Sequence, residues 1–291
     1  MTTIEKPSTA VEPAHGEVVT VAGHRLVHLH APGHPTGVTV SLITLDNGRD
    51  QQRPNTFGPQ GLTSLDAAIT TALAAKPDAI AITGKPGSFA AGADMGQLVG
   101  FDRAAAEEFA ALGRRVFGRL RDAPVPTFAL INASAMGGGL ELALHCDYRV
   151  LASDTKALSL PEVSLGIVPG WGLSVALPEA VGLRRAKEMS GTGNFIDAPT
   201  ALAWGLVNHV VPHDELLAFT RALAVDMTSV DQTALHNLFS TYRANAAVVD
   251  DARAEIEWTR YREWQTASPD AGKVIAERRA AVVERGRRQQ R

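Results

Sequence analysis

Two glutamates stand where a carboxylate is costly. Glu141 lies in AMGGGLELALHC (135–146), flanked by Leu140, Leu142, Ala143, Leu144 and Cys146. A helix that is apolar all round is usually buried, and a buried carboxylate has to be paired, hydrogen-bonded or protonated. The protonated option would give it acid–base chemistry. Glu162 lies in LPEVSLGIVPGWG (160–172), among Leu160, Val163 and Leu165, in a stretch made stiff and irregular by Pro161, Pro169, Gly166, Gly170 and Gly172. Each has a plainer reading. Glu141 could be a first-turn glutamate that favours the helix dipole, worth about 0.3–1 kcal/mol, and Glu162 could be a surface loop carboxylate.

The glycines beside Glu141 suggest a second kind of chemistry. In PTFALINASAMGGGLELALHCD a buried strand ends near Asn132 and a helix starts around 136–139. The first amides of a helix lack internal partners, and the dipole makes that end partly positive, so it stabilises a negative oxygen. Glycine there costs about 1 kcal/mol per residue in helix propensity, and three together indicate that something docks against bare backbone. Glu141 falls three residues after Gly138, on the same helical face. His145, four residues further on, reads as a satisfied histidine positioning that carboxylate. A second bare stretch, GKPGSFAAGADMG (84–96), follows a strand ending at Thr83 and leads to Asp94, a helix N-cap candidate. It lacks the order of a Walker loop, and a tight strand-to-helix turn explains it equally well. Together the two stretches could offer two N–H groups to one oxygen. Trp171 is either a core anchor or a wall of a substrate pocket.

The elements that would hold these residues read as α/β. Strand-like runs occur at 38–46, 78–84, 126–132 and 147–153, with helical patterns at 64–75 and 103–120 between them. Strands alternating with helices imply a mostly parallel sheet, the first three strands sharing it through right-handed crossovers. Helices are expected at 178–190 and 197–205, then a short strand in 206–212. Four further helices follow at 213–228, 232–247, 249–266 and 270–286, a region that would cover the site or join subunits. No sequence repeat is visible.

The chain has 291 residues, 45% hydrophobic and 20% charged, with a formal charge of −3. That is ample for a core and gives no general attraction to nucleic acid or an anionic membrane. Cys146 is the single cysteine, which rules out an intrachain disulfide and suits a reducing cytoplasm. No apolar run reaches membrane-spanning length. Residues 1–17 lack the apolar core of a signal peptide and read as a disordered tail. The nine histidines show no ligand spacing, so no metal is expected.

The stretches SFAAGADM, INASAMGGGLELALHCDYRVLAS, LPEVSLGIVPGWG and RRAKEMSGTGNFIDAPTALAWGLVNHVVP, in this order, resemble the crotonase superfamily, the enoyl-CoA hydratase/isomerase fold. The likeness runs from about residue 18 to about 286. DNGRDQQRPNTFGPQGL looks like the hydratase portion of bacterial fatty-acid oxidation proteins. No nucleotide-binding glycine fingerprint follows, so a dehydrogenase half is not expected. The resemblance implies a spiral of ββα repeats over 18–225 and a helical trimerisation region over 226–291, giving a homotrimer or a dimer of trimers. It implies an acyl-CoA thioester substrate and no cofactor beyond the coenzyme A of that substrate. Ala93 and Gly138 would supply the two oxyanion amides. Ala91, Ala93, Asp94, Met95, Gly96, Gly138 and Trp171 would bind substrate, and Asn55 would hold the family's asparagine position. Two glutamates, matching Glu141 and Glu162, mark hydratases, whereas many isomerases keep only the later one. After PGWG the chain reads LSVALPEAVG, where threonine and a polar or aromatic residue are common, which leaves acyl-chain length open. The basic end RRAAVVERGRRQQR (278–291) reads as a solvated tail, the alternative being contact with coenzyme A phosphates.

Overall fold

The computed structural model describes residues 20–29, 37–49, 53–228, 230–267 and 272–279. The tail 1–17 and most of the basic end, 280–291, lie outside the described residues. In chain order the elements are β1 (Val21–Leu29), β2 (Val38–Asp46), α1 (Pro59–Ala74), β3 (Ala79–Gly84), α2 (Met95–Leu98), α3 (Arg103–Arg121), β4 (Thr127–Ile131), β5 (Ala135–Met136), α4 (Gly138–Leu144), β6 (Tyr148–Ala152), β7 (Leu158–Ser159), α5 (Glu162–Leu165), α6 (Leu173–Thr192), α7 (Ala198–Trp204), β8 (His209–Val211), α8 (Leu216–Thr228) and α9 (Gln232–Ala267). A last helical stretch, 272–279, is α10.

Six strands form one sheet in the order β1-β2-β3-β4-β6-β8, parallel except for β1, which pairs antiparallel with β2. Both faces are covered, so the strands read as near-continuous apolar runs. Ile80 and Ile82 point into the core shared with α1 and α3, while Ala79 and Ala81 point to the face closed by Leu216 and Ala224 of α8. A second layer runs beside the first. β5 pairs with β7, and single bridges join Phe57 to Ala93, Ala90 to Ala135 and Leu158 to Ile196. Each turn of the chain thus lays a long strand in the first layer and a short one in the second, the ββα spiral of the crotonase fold.

A repeat that leaves no mark as a sequence pattern is visible in the hydrogen bonds. Asp78, just before β3, accepts from Thr39 N at 2.7 Å and Thr39 Oγ1 at 2.8 Å on β2. Asp147, just before β6, accepts from Thr127 N at 2.8 Å and Thr127 Oγ1 at 2.9 Å on β4. Asn208, before β8, accepts from Arg149 N of β6 at 2.8 Å. Each latch satisfies an amide at the start of one strand, its first or second, with the residue just before the neighbouring strand, and so sets the register that places the strand ends.

The five expected strands are present, the short one in 206–212 as β8. β1 escaped a sequence reading because VAGHRLVHL mixes Gly, His and Arg, and as an edge strand it is only partly buried. The stretches 232–247 and 249–266 form one helix, α9. The helix expected at 178–190 begins at Leu173 and is broken at Gly182, whose φ is +77°. Asp78→Ala, which leaves the Thr39 amide without its acceptor, is expected to lower unfolding free energy by about 1–2 kcal/mol, with Asp78→Asn recovering most of it. Urea denaturation checks this, and an unchanged midpoint for the alanine variant would exclude the latch as a source of stability.

Candidate active site

The site forms where the spiral's second layer meets α4. The loop at 90–93 lies directly against the α4 N-terminus. A Cβ placed on Gly92, whose φ is +85°, would lie 2.7 Å from Gly138 N. Phe57 N donates to Gly92 O and Asp94 N donates to Phe57 O, both at 2.8 Å. The Ala93 amide between them therefore faces the other way. Among the described residues neither Ala93 N nor Gly138 N has a protein acceptor.

The docking that the glycines imply is largely internal. A Cβ on Gly138 would sit 2.1 Å from the Trp171 ring, and one on Gly139 would sit 2.1 Å from Ala90 O. Gly137, with φ +51°, brings Glu162 Oε1 within 3.0 Å of where its own Cβ would be. Small residues here let a ring, a strand and a carboxylate close around one helix end, and leave its first amide bare.

Both glutamates are buried, Glu141 at 3% and Glu162 at 7% exposure. The surface-carboxylate reading of Glu162 is thereby excluded, and the residue opens the short helix α5 rather than lying in irregular loop. Glu141 Oε1 accepts from Trp171 N at 3.0 Å and Leu173 N at 3.2 Å. Glu162 Oε2 is buried without a partner. Burial raises the Glu162 pKa to about 7, its own amide offsetting part of the shift. Burial also raises Glu141, helped by the charges of Glu162 and Glu257 and opposed by the two amides. Those amides and the positive end of α6 favour charge on Glu141, whereas the orphaned oxygen favours a proton on Glu162. The charge of Glu162 raises the proton affinity of Glu141, so the two titrate as a pair.

His145 does not meet Glu141, contrary to the sequence reading. Its Nε2 lies 2.7 Å from Trp171 O. A carbonyl only accepts, so Nε2 carries the hydrogen, and burial lowers the ring's pKa to about 4 and keeps it neutral. Histidine and glutamate thus hold the same residue by its two ends. Trp171 is a core anchor: its ring packs edge-on against Phe57, Phe109 and Phe117, yet it also borders the cavity.

A cavity of about 980 Å³ joins these groups, lined by Ala91, Ala93, Asp94, Met95, Gly138, Glu141, Glu162 and Trp171 among others. Gly96 is not in that lining. Its N–H instead donates to Asp94 Oδ1 at 2.8 Å, where Asp94 caps α2 as expected. Asn55 is fully buried, its side-chain amide donating to Leu45, Ser88 and Phe89 carbonyls, and it holds the 88–91 turn from beneath. The C-terminal helices roof the cavity with Tyr261, Trp264, Ile275 and Arg279. Gly272 packs on the Val99 carbonyl and Val274 on Gly166. These roof residues went unrecognised in the sequence because their helices carry the mixed polarity of any surface helix. Among the described residues no group of three or more His, Cys, Asp or Glu could hold a metal ion, and no helix is long and apolar enough to cross a membrane.

A parallel spiral, two bare amides side by side and two buried acids in one cavity define a protein of the crotonase type. The chain belongs to the enoyl-CoA hydratase/isomerase family, whose model matches residues 36–284. It is 38% identical over 197 residues to the probable enoyl-CoA hydratase echA8 of Mycobacterium bovis, covering 67% of this chain and 74% of that one. It is 47% identical over 138 residues to the fatty acid oxidation complex subunit alpha of Idiomarina loihiensis, covering 47% of this chain but only 20% of that much longer protein. Among solved structures, the enoyl-CoA hydratase of Mycobacterium avium superposes with a TM-score of 0.69 at 28% identity, over 86% of this chain and 99% of that one.

The raised Glu162 pKa has a stability signature. Between pH 4.5 and about 7 the unfolded carboxyl has lost its proton while the folded one keeps it. Stability therefore falls as pH rises through that window and levels off above it. Glu162→Gln removes the titration and is expected to gain about 3 kcal/mol on the wild type between pH 4.5 and 8. Chemical denaturation at the two pH values measures this; parallel pH profiles for the two proteins would mean that Glu162 ionises normally.

Proposed function

We propose that the protein is an enoyl-CoA hydratase that adds water across a trans-2-enoyl-CoA to give the 3-hydroxyacyl-CoA, as in fatty-acid β-oxidation. The observation that carries this reading is the pair of buried carboxylates beside two bare amides in one cavity. Hydration needs oxygen on the β-carbon and a proton on the α-carbon, while negative charge builds on the thioester oxygen. Ala93 N–H and Gly138 N–H would take that oxygen, worth roughly 3–4 kcal/mol for one such donor in the transition state. Glu162 would give its proton to the α-carbon. Glu141, its Oε1 already occupied by two amides, would hold the attacking water through the other oxygen and accept its proton. The proton lost from Glu162 thus reappears on Glu141, and transfer within the pair restores the starting state.

The segment Ala91–Met95 and the Gly138 end of α4 would seat the thioester and pantetheine, with coenzyme A itself the only nucleotide involved. A homotrimer or dimer of trimers in the cytoplasm fits this reading. The names of relatives support it: a crotonyl-CoA hydratase of Syntrophomonas wolfei is 42% identical over 148 residues, 51% of this chain and 56% of that one. Isomerisation of 3-enoyl-CoA is the second reading, favoured by the enoyl-CoA isomerase/hydratase fer4 of Mycosarcoma maydis, 36% identical over 173 residues. The second glutamate, Glu141, argues for water addition.

A panel of 2-enoyl-CoAs from about four to sixteen carbons separates the readings: hydration bleaches the conjugated thioester absorbance, and isomerisation of a 3-enoyl-CoA creates it. Bleaching is expected. Glu162→Gln is expected to lower turnover by about 10²–10⁴-fold while acyl-CoA affinity stays near wild type. A variant that loses binding instead, with turnover per bound substrate intact, would remove the proton-donor role. Because the donor must be protonated, kcat/KM should fall about tenfold per pH unit above about 7. A flat profile to pH 9 would contradict it.

A further inference from the structure

Four consecutive amides open α6, and two buried carboxylates from distant parts of the chain divide them. Glu141 of α4 accepts from Trp171 N and Leu173 N. Glu257 of α9 accepts from Gly172 N at 2.9 Å and Ser174 N at 2.8 Å, and the Ser174 hydroxyl donates to it as well. Alternate amides go to alternate acids, so the 171–174 strap is held from two sides. Glu257 is 8% exposed although its helix neighbours Glu255 and Ile256 face solvent. A charged residue turned inward on a roof helix, with both oxygens committed to one strap, needs a reason beyond helix docking.

We propose that Glu257 is a positioning residue for hydration: from the C-terminal helix it fixes the 171–174 strap, and through that strap it fixes where Glu141 stands. The inference rests on the hydration reading of the site. Loss of Glu257 would free two amides of the strap, and the amides of 171 and 173 would no longer be fixed against Glu141. The second effect is electrostatic. Glu257 is faced by Glu141 of α4, Arg114 of α3 and Ser174 of α6, while Glu255 and Arg262 of its own helix also act on Arg114. Arg114 lies against the Trp258 ring, 4.4 Å from its centroid. Glu141 is faced by Glu162 and Glu257, and both raise its proton affinity. The roof helix therefore sets both the place and the ionisation of the acid that holds the water.

Glu257→Gln keeps an acceptor for the strap and removes the charge. Glu257→Asp keeps the charge and shortens the reach. Two readouts are needed: hydration of crotonyl-CoA against pH, and the infrared carboxyl band of protonated Glu141, assigned with Glu141→Gln and titrated without substrate. In Glu257→Gln the Glu141 midpoint should move down by about half to one pH unit, carrying the acidic limb of the rate profile with it, while KM stays within about threefold. In Glu257→Asp the midpoint should stay near wild type while kcat falls about tenfold or more from the misplaced strap. A residue that only docks the helix would leave the Glu141 midpoint in place in both variants, and that result, in folded protein, overturns the proposal. Should Glu257→Gln fail to fold, Glu257→Asp decides: unchanged kcat overturns the proposal, and a loss of kcat with the midpoint retained supports it. If wild type hydrates no 2-enoyl-CoA but the midpoint moves in Glu257→Gln, the hydration reading fails and the coupling between the two acids stands.

Discussion

The placement of Trp171 is the constraint on which the site's geometry depends. Its ring lies on the bare Cα of Gly138, its amide donates to Glu141 and its carbonyl accepts from His145. All three partners come from α4 and its C-cap, so one residue reports the orientation of the whole helix. The ring also fills the space beside Gly113 of α3, where a Cβ would be 2.2 Å from the indole nitrogen. A side chain at Gly138 or Gly113 would push the ring away and pull the Trp171 amide off Glu141 with it. Packing and hydrogen bonding here are one mechanism, because dense cores pass displacements on rather than absorb them.

That rigidity explains how two acids persist in an apolar cavity. Taking a carboxylate out of water costs several kcal/mol unless it is hydrogen-bonded or neutral. Glu141 uses the first route, with two amides at a helix N-terminus. Glu162, with one oxygen orphaned, uses the second, and its pKa near 7 is the consequence. Both acids bind a proton more tightly than a free glutamate, but two amides hold Glu141 and one oxygen of Glu162 is orphaned, and such a difference in surroundings is what separates a proton donor from a proton acceptor. The raised pKa costs stability at neutral pH, a cost the fold carries for the sake of the site.

Much of this was legible in the chain's text, and the reasons differ by element. β2, β3, β4 and β6 are apolar and β-branched because the sheet is covered on both faces, and such runs declare themselves. The glycine run and Glu141 were legible because each violates the expectation for its setting. What the glycines accommodate was not, since Trp171, Ala90 and Glu162 reach them from segments distant in sequence. His145 has the correct helical spacing to meet Glu141, but it is the C-cap of α4 and turns to a carbonyl instead. Gly96 lies in a bare stretch as its neighbours do, yet its amide is spent on the Asp94 cap. Glu257 carries no local signal, because an inward glutamate on an amphipathic helix looks the same as an outward one.

The roof completes the electrostatics that the spiral begins. Without α9 and α10 the cavity beside Glu141 and Glu162 would open to water between Val99 and Gly166, the two places where Gly272 and Val274 now sit. Water there would restore ordinary carboxylate behaviour, because the shifts on both acids come first from burial. A substrate entering a roofed cavity meets oriented amides in a medium where each is worth more than in water. The C-terminal helices therefore act on the two acids whether or not they also join subunits: the spiral supplies the groups, and the roof supplies the low dielectric that gives those groups their proton affinities.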